Sequence, residues 1–218
     1  MIVLVHGLWV HGMLMTVMRR HIERDGCQVY NYSYPTMRLT LSANAARLLR
    51  YCRALDAPRL HFIGHSMGGL VILRMLENAA GLNVGRIVLA GTPFADSYAA
   101  RRLARLPAGS AVLGHSMPEW LDGAQPHDPG RYEIGVIAGS LSVGLGRLIA
   151  PGLPRPNDGV VSVAETHVPG MRDHIVLKLS HSGMLLSGAL ADQALAFVQH
   201  GAFVHAGRRY DKMNDISH

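Results

Sequence analysis

The stretch Gly64-His65-Ser66-Met67-Gly68-Gly69 follows directly on the apolar run Leu60-His61-Phe62-Ile63. A G-x-S-x-G pattern between a strand and an apolar helical segment specifies a sharp turn, with the central serine held in a strained backbone conformation. Glycines two residues before and two after it let neighbouring backbone pass. The serine hydroxyl is then presented beyond the end of a sheet, over a helix N-terminus. Because a serine hydroxyl is a weak nucleophile at neutral pH, this geometry requires a base, an acid to orient the base, and donors for an oxyanion. A tight β-to-α turn with serine as a helix cap is the simpler alternative, and the rest of the chain discriminates between the two.

Strand and helix signals alternate along the 218 residues. Short apolar or β-branched runs at 2–5, 28–32, 59–63, 86–90, 132–138 and 174–179 predict strands. Between them, 13–23 carries Leu14, Met18 and Ile22 at helical spacing, and 41–55 carries Leu41, Ala45, Leu48, Leu49, Cys52 and Leu55. Further helices are predicted at 67–78 and 185–199. Repeated β-α units imply an α/β fold with a mostly parallel sheet and helices on both faces. The length fits one domain over 1–218. Within it, 94–130 is rich in Gly, Pro and His, with one basic helix near 97–106, and is expected to form a small cap; 203–218 is expected to be a fraying tail.

In such a sheet the site lies beyond the strand C-termini, which brings several loops together. After the strand 2–5, His6-Gly7-Leu8 can turn a backbone N–H back over the sheet. Leu8 N–H and Met67 N–H, the latter next to Ser66 at the helix N-terminus, are the expected oxyanion donors. His6 itself is read as a loop-holding residue. Of 13 histidines, His181 lies just past the last predicted strand and is the expected base; His174 and His167 are alternatives. Asp158, in Asn157-Asp158-Gly159-Val160-Val161, stands 23 residues before His181 and is the expected acid, with Asp128 and Asp173 as alternatives. Trp9, Phe94, Met117 and Trp120 are candidate pocket residues, alongside Leu8.

With those residues in view, the chain resembles the α/β-hydrolase superfamily, and within it the small bacterial lipases and esterases. Val3-Leu4-Val5-His6-Gly7-Leu8 resembles the family's oxyanion turn, the Gly64–Gly69 stretch its nucleophile elbow, and Asn157-Asp158-Gly159-Val160-Val161 the acid loop of bacterial triacylglycerol lipases. The resemblance implies nucleophile Ser66, acid Asp158 and base His181, with ester hydrolysis through an acyl-enzyme. The chain starts at what would be the family's third strand, so about six strands are expected. Many larger lipases of this kind carry calcium-binding carboxylates near the base; here Ser182-Gly183-Met184-Leu185 follows His181, and no calcium site is expected. The short insertion favours a carboxylesterase over a lipase with a large lid.

The same triad could serve a thioesterase, a deacylase of lipid-linked substrates or an acyltransferase, since fold does not choose the acceptor. A non-catalytic binding protein on this fold would lack one of the three residues. No metal or cofactor is expected. The net charge of +6 raises nucleic acid as a partner, but the basic residues are scattered and no phosphate loop or basic-aromatic platform accompanies them. The densest basic group, Arg101, Arg102 and Arg105, could approach anionic headgroups of a lipid surface or simply be solvated. Cys27 and Cys52 are expected to be free thiols. No signal segment precedes the first strand, which leads to the expectation of a cytoplasmic protein.

Overall fold

The inner apolar runs pair as parallel strands because they carry hydrophobic side chains on both faces and need cover on both, whereas the edge strands Val29–Tyr32 and Asp173–Leu177 are only partly buried. The computed structural model describes residues 1–10, 12–123, 129–144 and 149–205. Its strands are β1 (Ile2–Val5), β2 (Val29–Tyr32), β3 (Leu60–His65), β4 (Val84–Ala90), β5 (Ile134–Gly139) and β6 (Asp173–Leu177). They form one six-stranded sheet in the order β2-β1-β3-β4-β5-β6, with every neighbouring pair parallel. This is the six-stranded α/β sheet that the sequence predicts.

Alternation along the strands divides the core in two. Val3, Val5, Phe62, Ile87 and Leu89 point to the face covered by α2 (Leu41–Ala54) and α3 (Met67–Leu76). Ile2, Leu4, Ile63 and Val88 point to the opposite face, covered by α1 (Thr16–Glu23) and a C-terminal helix, Gly188–His200. Apart from Arg74, every residue of α3 is buried, the pattern of a helix enclosed on all sides. It starts at the elbow, so the serine rests on a helix that is buried along almost its whole length.

Three differences from the sequence reading have local causes. Leu14 is 48% exposed, and Met15 takes its place in the core with Met18 and Ile22. The segment Gly12–Met15 is a 3-10 turn, which shifts the apolar phase to three-residue spacing. The last helix begins at Gly188, not at 185, because the Ser187 hydroxyl caps it by accepting from Leu190 N–H at 3.2 Å. Phe203, expected to open the tail, is buried against Phe197 with ring centroids 4.9 Å apart. Val204 adds a pair of hydrogen bonds to the Gln193 side chain at 2.8 and 2.9 Å. The rest of the expected tail, 206–218, lies outside the described residues.

Among the described residues between β4 and β5 stand three short α-helices, α4 (Tyr98–Ala104), α5 (Gly109–Leu113) and α6 (Ser116–Asp122), where composition predicts a single basic one. Ser97 caps α4 by accepting from Ala100 N–H at 3.3 Å. α6 is tied to α2: Glu119 accepts from the backbone and hydroxyl of Ser42, and the buried Ser116 hydroxyl accepts from Asn44 and donates to Leu39 O. The C-terminal helix Gly188–His200 is α7. Both cysteines are free, and burial raises Cys52 to about 12. No helix among the described residues is long and apolar enough to cross a membrane.

Candidate active site

Ser66 stands between β3 and α3 with φ 53° and ψ −127°, a backbone region that costs a non-glycine residue on the order of 1–3 kcal/mol. Three bonds hold it there. Its N–H donates to Ala90 O at 2.9 Å, and its carbonyl accepts from Gly69 N–H and from the Thr92 hydroxyl, each at 3.0 Å. The elbow closes tightly enough that a Cβ at Gly64 would lie 2.6 Å from Gly69 Cα. This explains the glycine spacing in terms of contact, not motif.

The Ser66 Oγ lies 3.0 Å from His181 Nε2, and His181 Nδ1 lies 2.7 Å from Asp158 Oδ2. A carboxylate only accepts, so Nδ1 carries the imidazole proton and Nε2 is left to accept from the serine hydroxyl. Asp158 is fully buried. Its second oxygen, Oδ1, accepts from Val160 and Val161 N–H at 2.9 and 2.7 Å. These bonds compensate the desolvation of the carboxylate. Asn157-Asp158-Gly159 therefore forms a loop that folds back on its own acid, closed by Asp158 N–H donating to Val161 O at 3.0 Å.

The other candidate acids and bases lie elsewhere. Asp173, the first residue of β6, accepts from Phe203 N–H and His205. His174 follows it, and His167 is exposed before the strand. Asp128 lies outside the described residues. Among the described residues, no group of three or more His, Cys, Asp or Glu is arranged to hold a metal.

The β1 turn meets the elbow at Gly7, where a Cβ would lie 2.8 Å from Ser66 Cβ. Only glycine permits that approach, which brings Leu8 to the edge of the serine. The turn is held from below by Tyr34, whose buried hydroxyl donates to His6 O at 2.7 Å and whose ring stacks on His6 at 4.7 Å. Met67 is the first residue of α3, so its N–H is one of those that have no partner within the helix.

A cavity of about 370 Å³ opens over Ser66 and His181, within the size range of small-molecule sites. Leu8, Trp9, Met67 and Met117 line it. Phe94 and Trp120, both expected there, do not: they are buried in the core beneath, edge to face with centroids 5.8 Å apart. The wall is supplied instead by Ala99, Ala100 and Leu103 of α4 and Leu113 of α5. Trp9, with φ 58° and 55% exposure, spans the rim, and its indole N–H donates to Val112 O of α5 at 3.1 Å. Small alanines on a short helix carry no sequence signal for a pocket wall. The Val160 and Val161 cradle does carry one, since aspartate readily bonds backbone two residues on.

Among solved structures, the chain is similar to the Bacillus licheniformis lipase BlEst2 in mature form, with a TM-score of 0.70 and 18% identity over 84% of this chain and 85% of that one. It is similar also to the metagenomic carboxyl esterase MGS0156 (TM-score 0.63, 18% identity, 92% of this chain and 74% of that one). A third, the phospholipase PlaB from Legionella pneumophila, gives a TM-score of 0.63 at 16% identity over 88% of this chain and 55% of that one. At these identities the likeness is one of fold. No curated protein matches the chain. A family profile described as the alpha/beta hydrolase family matches residues 2–210, nearly the whole length. With that match and its six-stranded parallel sheet, the chain belongs to the alpha/beta hydrolase family.

Proposed function

We propose that the protein is a serine carboxylic-ester hydrolase, with Ser66 as nucleophile, His181 as general base and acid, and Asp158 as the group that orients the base. The observation that carries this reading is the unbroken chain from Ser66 Oγ to His181 Nε2 at 3.0 Å and from His181 Nδ1 to Asp158 Oδ2 at 2.7 Å, opening into an apolar cavity. Ser66 Oγ attacks the ester carbonyl carbon while His181 Nε2 takes the hydroxyl proton. The carbonyl oxygen becomes an oxyanion beside the N–H groups of Leu8 and Met67. The C–O bond to the leaving alcohol then breaks, and His181 returns the proton to that oxygen. Water, deprotonated by the same imidazole, attacks the acyl-enzyme, and the carboxylic acid leaves with Ser66 restored. One oxyanion donor is typically worth about 2.7–4 kcal/mol of barrier.

The apolar cavity favours an uncharged acyl chain over a polar or anionic one, because burying an unpaired charge there carries a large desolvation cost. Carboxylesterase behaviour toward short and medium chains fits a wall of three short helices. The test is turnover of p-nitrophenyl butyrate by the wild type and by Ser66→Ala and His181→Ala. The expected result is activity in the wild type and loss of about 10³-fold or more in each variant. Full activity in Ser66→Ala would overturn the assignment.

A further inference from the structure

His65, the residue before the elbow serine, has a side chain that the ester-hydrolase chemistry leaves without a role. It ends β3, is buried, and its ring faces the His181 ring with centroids 4.8 Å apart and planes tilted by 47°. Its Nε2 lies 3.0 Å from the backbone carbonyl of His181. A carbonyl only accepts, so Nε2 carries the proton and donates. The other edge of the ring faces the β1 turn: a Cβ on Gly7 would lie 3.3 Å from His65 Nδ1. His65 is thus wedged between the turn that carries Leu8 and the loop that carries His181.

His181 is gripped at both of its backbone polar atoms. Its N–H donates to Asp158 O at 2.9 Å, and its carbonyl accepts from His65. With the main chain pinned on both sides, the side chain has only its own torsions left, and Asp158 fixes those. We propose that His65 is a positioning residue, which through the Nε2–H bond to the His181 carbonyl holds the base loop in the register that lets one imidazole reach both Ser66 and Asp158. This inference rests on the ester-hydrolase reading for its kinetic consequence, but its geometric content stands apart from it. Burial, and then the neighbouring His181, keep His65 neutral, lowering it to about 3. The adjacent ring therefore adds no positive charge to repel the imidazolium that forms on His181.

Three variants separate the hydrogen bond from the ring. In His65→Gln the amide nitrogen reaches about as far as imidazole Nε2 and can donate to the same carbonyl. In His65→Asn the amide stops short of it, and in His65→Leu there is no donor. Expected is kcat within about threefold of wild type for H65Q, and a fall of about 10- to 100-fold for H65N and H65L, as for small misplacements of a catalytic group. Although the His65 ring borders the cavity, KM should move less than about twofold, because its hydrogen bond is made to the His181 backbone and not to the substrate. The second readout is the downfield imidazole N–H proton resonance of His181, identified by its absence in His181→Ala. It should persist in H65Q and shift or broaden in H65L. Wild-type kcat in H65L, an unchanged resonance in H65L, or H65Q as impaired as H65L would each overturn the proposal. If the wild type shows no esterase activity, the ester-hydrolase reading fails, while the resonance still decides the role of His65.

Discussion

His181 and Asp158 are bonded twice, once through the backbone, where His181 N–H donates to Asp158 O at 2.9 Å, and once through the side chains, where Nδ1 donates to Oδ2 at 2.7 Å. The two loops come from the far ends of different strands, β5 and β6, yet they meet as one unit. The carboxylate cannot rotate, because Val160 and Val161 hold its other oxygen.

That double tie makes Asp158→Asn a clean test of the acid. The backbone bond and the loop should survive, and the amide can still occupy the site. An amide nitrogen facing Nδ1 would, however, favour the tautomer with its proton on Nε2, which cannot accept from Ser66. A loss of kcat of about 10⁴-fold with an unchanged thermal transition is expected. A loss accompanied by unfolding would instead place Asp158 in a structural role. Enzyme kinetics and a melting curve on the same preparation check it.

How much of this was legible before folding follows the range of the interactions. The elbow, the acid loop and the residue after the last strand are local patterns whose chemistry depends on a few neighbours, and His181 lies within hydrogen-bond reach of both Ser66 and Asp158. Phe94 and Trp120, candidates for the pocket, are large and apolar. The same property sends them into the core, since a large aromatic gains most from full burial. The wall they were meant to form falls to Ala99 and Ala100, whose contribution is the space they leave. Met15 in place of Leu14 depends on a 3-10 turn that periodicity at 3.6 residues does not anticipate. His65 was visible only as the variable letter of a motif.

The space left by α4 gives a prediction about chain length. Ala100 is buried and lines the cavity. Ala100→Phe should fill the acyl end, at a stability cost of about 1–3 kcal/mol from overpacking. Activity on a butyrate ester should be retained, while activity on an octanoate ester should fall by at least about tenfold relative to it, since each excluded methylene is worth about 1–3 kcal/mol. A series from acetate to palmitate measures this, and an unchanged preference would place the acyl chain elsewhere.

The buried His65 and the half-buried His61 set an acid limit on stability. Burial is the largest cause that lowers His65 to about 3 and His61 to about 4, from an ordinary 6.5. Between those values the unfolded chain binds protons that the folded one refuses. Stability is therefore fully present above about pH 6.5 and is lost as pH falls through about 4 for His61 and about 3 for His65. For the fully buried His65 the slope is at most about 1.4 kcal/mol per pH unit. His65→Gln removes this contribution, so urea unfolding across that range should show a shallower decline in H65Q than in wild type. Parallel declines would mean that His65 protonates in place.

The proposed activation of Ser66 as a nucleophile by His181 is open to chemical test. Its most direct measurement is covalent labelling by a fluorophosphonate, read by intact mass and peptide mapping, in wild type, Ser66→Ala and His181→Ala. One adduct per chain, mapped to Ser66, absent in Ser66→Ala and slowed by at least about 10³-fold in His181→Ala, is the predicted result. An adduct on another residue, or labelling in His181→Ala as fast as in wild type, would contradict it.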